Sequence, residues 1–237
     1  MSGIRSSADN NRADIFSLLL LLLILVLFLA LMSGCAVKKK EPEISIEPEP
    51  VPKVEPDPGQ LRITAWKTLM SEKRNASEMD KLESVNNFFN RLEFVDDQIL
   101  WGKDDFWATP QQMLVKNGGD CEDFATAKYF TLRQLSIPDN KMRLTYVKAL
   151  KFKKPHMVLS YYKEATSDPL ILDSLVKEIF TASQRKDLIP IYSFNGQGLW
   201  LAKKQNSVHL GRSEHLSLWQ DLQFRVIQEA IAATPPQ

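Results

Sequence analysis

Only two cysteines, Cys35 and Cys121, occur among the 237 residues. So few thiols exclude a disulfide framework and a cysteine-based zinc site of usual spacing. Charge of one sign is also lacking: 30 Lys+Arg stand against 29 Asp+Glu, a net charge of +1. Without a basic excess, the chain has no electrostatic footprint for nucleic acid. Histidine is equally sparse, and an imidazole base must come from His156, His209 or His215. No internal repeat is present. The 44% hydrophobic content is ordinary globular chemistry, and the length allows one sizeable core.

What is present begins with Ile15 to Met32, an apolar run broken only by Ser17. It is long enough to insert into a bilayer, and an export signal is the natural reading. Leu31-Met32-Ser33-Gly34-Cys35 resembles a bacterial lipobox, which makes Cys35 the expected lipidation site. Ala36 after the cysteine favours sorting to the outer membrane. A periplasmic form released by cleavage, an uncleaved anchor and a reversed anchor are the alternatives. Lys38, Lys39 and Lys40 follow the run, whereas Arg5 and Arg12 before it are offset by Asp9 and Asp14. Residues 1–35 are thus read as a signal peptide with lipobox, or as a membrane anchor. Residues 36–60 follow as a tether, carrying Pro42, Pro48, Pro50, Pro52, Pro56 and Pro58 among acidic residues. Such a composition buries too little apolar surface to fold, and proline keeps it extended. Residues 61–237 form the expected folded domain.

Within that domain the chemistry gathers at Gly118-Gly119-Asp120-Cys121-Glu122-Asp123-Phe124. The glycine pair predicts a sharp turn, and Asp120 with Asp123 predicts an acidic capping box that opens a helix at Cys121. A thiol at that position meets the positive end of the helix dipole, which favours the nucleophilic thiolate. Helical spacing is found at Leu82, Val85, Phe88, Phe89 and Leu92. Thr109-Pro110-Gln111-Gln112 signals a short capped helix ending at the glycines. Beyond Pro138 the pattern changes to short strands: Leu144 to Val147, His156 to Tyr162 and Leu170 to Leu172. A hairpin is expected around Asn195 to Gly198. A last helix is expected with Ser217 as its cap and Trp219, Leu222, Val226 and Ala230 along one face. Helices first and strands afterwards argue for an α+β fold. If neighbouring strands bring His156 and Asp173 to the helix start, Cys121, His156 and Asp173 form a nucleophile, base and orienter series. On residue type alone, an inert buried cysteine and a turn-forming aspartate are equally open.

Several strings in order sharpen this: Trp101-Gly102, Asp105 to Pro110, Gly119 to Ala125, Ala127 to Phe130, Arg143 to Val147, His156 to Leu159 and Leu172-Asp173. Together they resemble the bacterial transglutaminase-like cysteine proteases of the LapG type, from about Leu82 to about Trp200. The resemblance implies a papain-like, transglutaminase-like fold with Cys121, His156 and Asp173 as the triad. It also implies a periplasmic, calcium-dependent endopeptidase that cuts a large surface adhesin near its N-terminus, at a paired-alanine site. An inner-membrane receptor for cyclic di-GMP would sequester the protease and so control biofilm dispersal. On the residues alone, Asp120 and Asp123 read as caps and Glu122 as a solvated first-turn acid. With the resemblance they become the expected calcium ligands Asp120, Glu122 and Asp123, and Asp105 is a further possibility. Like-charged neighbours oppose a thiolate, and a bound hard cation would remove that opposition. The backbone N–H of Cys121 and an indole of Trp101 or Trp107 are candidate oxyanion donors. Acyl transfer to an amine, or a non-catalytic tethered module of the same fold, are the other functional readings.

Overall fold

Asp57 starts the folded region, its side chain accepting from the Gly59 N–H at 3.1 Å, with proline in the first helical turn. The computed structural model describes residues 55–202 and 207–233. The apolar run, Cys35 and residues 36–54 of the tether lie outside them. Among the described residues, no helix is long and apolar enough to cross a membrane. The first helix, α1 (Pro58–Lys73), begins inside the stretch read as tether. It is mostly polar and buries Gly59, Ile63 and Trp66, so its amphipathic signal is weak. Helix α2 (Glu78–Phe89) is capped by Ser77 and buries Leu82, Val85 and Phe89, as its spacing predicts. A two-residue strand β1 (Glu93–Phe94) and a single turn α3 (Asp97–Leu100) follow.

Helix α4 (Pro110–Lys116) carries the complete capping box predicted from Thr109 and Gln112. It stops where Asn117 turns left-handed at φ 61°. The glycine pair after it is not the sharp turn expected. Gly118–Gly119 form strand β2, which pairs in parallel with β1. A Cβ on Gly118 would sit 2.8 Å from the Glu93 carbonyl oxygen, and one on Gly119 would collide with the Asp123 carboxylate. Close approach, rather than a positive φ, requires glycine here.

Helix α5 (Cys121–Gln134) then lies against a seven-stranded antiparallel sheet. The strands are β3 (Met142–Ala149), β4 (Lys154–Tyr161), β5 (Leu170–Leu172), β6 (Phe180–Thr181), β7 (Leu188–Phe194), β8 (Leu199–Ala202) and β9 (Ser207–Gly211). Their spatial order is β6-β5-β4-β3-β7-β8-β9. The β7–β8 hairpin is the one the glycine-rich loop predicts; the Asn195 N–H donates to the Gly198 carbonyl at 3.0 Å. The core lies between α5 and the sheet, where Phe124, Ala127 and Leu132 meet Leu144, Leu159 and Phe194. Helix α6 (Ser217–Ala232) covers one end, with Trp219 fully buried against the Phe130 and Phe194 rings. Its cap position is Leu216 and makes no side-chain cap bond, so Ser217 is the first helical residue and not the cap. Ala230, expected on the buried face, is exposed.

Candidate active site

The start of α5 is held from behind by Asp123. Its Oδ1 accepts from the Ala108 N–H at 2.6 Å and its Oδ2 from the Asp120 N–H at 3.3 Å. Cys121 is thereby fixed as the first helical residue. Its thiol donates to Glu122 Oε2 at 3.0 Å, and the Met157 backbone N–H donates to its sulfur. Burial pushes the thiol's pKa up, and the carboxylates of Glu122 and Asp120 push it further.

Antiparallel pairing of β4 with β5 brings His156 and Asp173 together. His156 Nε2 lies 2.7 Å from Asp173 Oδ1, both side chains being buried. That bond leaves Nδ1 as the ring nitrogen available to a thiol. Cys121 and His156 line one cleft of about 790 Å³, with Trp107, Asp120, Tyr146 and Tyr192 also in its wall. Asp173 sits beneath the cleft and is fully buried. Its Oδ1 also accepts from the Leu175 N–H at 3.0 Å, and its Oδ2 from Arg185 Nη2 at 2.7 Å. Burial alone would raise the Asp173 pKa. The bond and charge of His156, the Leu175 N–H and Arg185 outweigh it and bring the pKa down to about 2. Arg185 is the residue that sequence reasoning misses: it sits in the loop after β6, far from any motif, and also grips Asp187 at 2.8 and 2.9 Å.

Of the other histidines, His215 is exposed on the cleft wall, and His209 packs on Trp200 with ring centroids 5.4 Å apart. The indole N–H of Trp107 is engaged by Asp105 Oδ1 at 3.0 Å, and Trp101 does not line the cleft. The Cys121 backbone N–H is what remains of the expected oxyanion donors.

The acidic residues divide into two groups. Asp97, Asp120 and Glu122 each offer an oxygen within 4.8 Å of the others, while Asp123 stands outside this cluster with both oxygens on backbone amides. Asp97, from α3, is therefore the third acid at the position where Asp123 was expected. Asp97 Oδ1 and Asp120 Oδ1 are buried and have no hydrogen-bond partner among the described residues. Burial raises the pKa of all three carboxyl groups, and crowding adds to it for Asp97 and Asp120. The orphaned oxygens of Asp97 and Asp120, crowded beside the Glu122 carboxyl, are a donor set that a hard cation satisfies. Nothing local marks Asp97 in the sequence, because its neighbours in the cluster come from another helix.

A family model for bacterial transglutaminase-like cysteine proteinases matches residues 63–206. The chain belongs to this family. Among solved structures, EGTA-treated LapG from Legionella pneumophila is similar to it at 44% identity, over 70% of this chain and 89% of that one, with a TM-score of 0.65. Calcium-bound LapG from the same organism is 43% identical over 73% of this chain and 92% of that one, with a TM-score of 0.64. No curated protein matches. The family fixes the fold as the transglutaminase-like cysteine protease fold, and the α+β arrangement of α5 on an antiparallel sheet agrees with it. As a cysteine protease of this family, the chain has one cysteine among its described residues, and that is Cys121.

Proposed function

We propose that the protein is a calcium-dependent cysteine endopeptidase in which Cys121 is the nucleophile, His156 the general base and Asp173 the orienter. The observation that carries this reading is the buried His156–Asp173 pair at 2.7 Å, on the same cleft as a cysteine at a helix start. His156 Nδ1 accepts the thiol proton, and Cys121 Sγ adds to the scissile carbonyl carbon. His156 then returns the proton to the leaving amine, and an acyl-enzyme remains. Water deprotonated by His156 attacks the thioester, releasing the acid and restoring the thiol. Asp173 keeps Nε2–H bonded throughout, and so holds the tautomer and stabilises the imidazolium. Calcium would be held by Asp97, Asp120 and Glu122, where its charge would offset the carboxylates that oppose a thiolate.

The substrate we infer is the N-terminal region of a large surface adhesin, cut at a short paired-alanine site. Release of the adhesin would disperse a biofilm. An inner-membrane cyclic di-GMP receptor would withhold the protease while that messenger is abundant. The likeness to LapG supports this reading, and the export-type N-terminus supports a periplasmic location. Attachment through a lipidated Cys35, with the proline-rich stretch as spacer, would make it a membrane-tethered version.

The test is cleavage of an adhesin N-terminal fragment bearing the paired-alanine site, by residues 55–237, by the same protein with Cys121→Ala, and by wild type in EGTA. New termini without crosslinks are expected from wild type alone, with at least a thousandfold loss in Cys121→Ala. Cleavage that survives Cys121→Ala removes the nucleophile assignment, and crosslinked products favour acyl transfer instead.

A further inference from the structure

Lys128 is a charged residue in an unusual place. It lies on α5, two turns after Cys121 and roughly 10 Å along the helix axis. Its side chain is fully buried, and Nζ donates to the backbone carbonyl of Asp173 at 3.0 Å. The same carbonyl accepts from Nδ2 of Asn90, the residue that ends α2, at 2.9 Å. An ammonium is costly to place in such a site, where burial lowers the Lys128 pKa to about 7, and a methionine would fill it without that cost. Its hydrogen bond goes to the residue whose side chain orients the base. The helix that carries the nucleophile is thus tied, through one side chain, to the strand end that carries the orienter.

We infer that Lys128 is a positioning residue for the reaction: it fixes the backbone of Asp173 relative to Cys121, and so sets how the Asp173–His156 pair meets the thiol. This rests on the Cys121, His156 and Asp173 roles proposed above. Asn90 shares the work from the opposite element.

The distinguishing property is that Lys128 should help turnover without helping stability. Lys128→Met in the full chain is expected to unfold at the wild-type temperature or above it, because a buried ionisable amine is replaced by an apolar side chain of similar length. Its kcat should fall at least tenfold with KM within twofold. Alkylation of Cys121 by iodoacetamide, read by peptide mapping apart from Cys35, should slow in step. Asn90→Ala should show the same pattern more weakly, and the two effects should be non-additive, as for two donors on one acceptor. If Lys128→Met does not fold, Asn90→Ala alone decides, with a kcat loss of threefold or more at unchanged KM expected. A folded Lys128→Met with wild-type kcat and alkylation rate overturns the inference, as does a loss accounted for by its unfolded fraction. Cys121→Ala run beside it separates the two failures: activity there sinks the triad, whereas inactivity there with an unimpaired Lys128→Met sinks only the role of Lys128.

Discussion

Arg185 holds Asp173 from the side opposite His156, and this predicts how the protein responds to acid. Asp173 has a folded-state pKa of about 2, below its ordinary 3.8. A depressed carboxyl contributes its stability in full above the ordinary value and loses it as pH falls through the folded one. The contribution is about 2 kcal/mol, lost between roughly pH 4 and pH 2. Arg185→Met leaves a buried carboxylate with one partner fewer, so it should cost about 3 kcal/mol at neutral pH and move the acid transition to higher pH. Unfolding midpoints measured across pH check both parts; an unchanged acid midpoint would contradict the role given to Arg185. Cys121, His156 and Asp173 are legible in the sequence because each sits at the start or end of an element that its neighbours announce. Arg185 and Asp97 are not, since each acquires its role only when distant segments close on one another.

At the scale of elements, the acidic cluster joins α3 to α5. Calcium bound there should stabilise the fold with the logarithm of its excess over Kd, by about 2.7 kcal/mol at a hundredfold excess, and raise the unfolding temperature accordingly. Asp97→Asn should shift that titration to higher calcium while leaving the EGTA-treated protein as stable as wild type or more so, because one of three crowded carboxylates, the buried one, is gone. Identical calcium titrations of the two proteins would exclude Asp97 as a ligand. Gly119→Ala tests the β1–β2 contact: its Cβ meets the Asp123 carboxylate that fastens the helix start, and a loss of about 1–3 kcal/mol is expected by denaturant titration. Strands β3, β4, β5, β7 and β8 and helices α2, α4, α5 and α6 follow from periodicity and caps, whereas the short β1, β2, β6 and β9 and the single turn α3 do not. Helix α1 does not either, because its polar sequence buries few residues. The glycine pair forms a strand and not the expected turn, because glycine signals both free backbone and close packing, and only the neighbour decides which.

For the whole molecule, the folded domain and the N-terminal segment have separate chemical tests. If Cys35 carries the lipid, acyl labelling should vanish in Cys35→Ser while peptide cleavage in detergent stays within about twofold, since among the described residues the cleft is lined from Phe94 onward. Labelling that persists in Cys35→Ser would rule out that cysteine as the sole lipid site. Trp219 belongs to the same scale, because α6 closes the core from the far end of the chain. Trp219→Ala should cost about 3–5 kcal/mol and loosen the cleft wall that it helps to form.

The short parallel pairing of β1 with β2 has a consequence in time rather than in space. The Glu93 N–H bonds the Asn117 carbonyl at 3.0 Å and the Val95 N–H bonds the Gly119 carbonyl at 2.9 Å. These two bonds bracket the chain just before Asp97 and just before Asp120, so the acids are already gathered without a cation to draw them in. The amide protons of Glu93 and Val95 should therefore exchange with solvent slowly, with calcium or without it. If calcium binds as proposed, it would then change the charge at a standing site without waiting for the protein to fold around it.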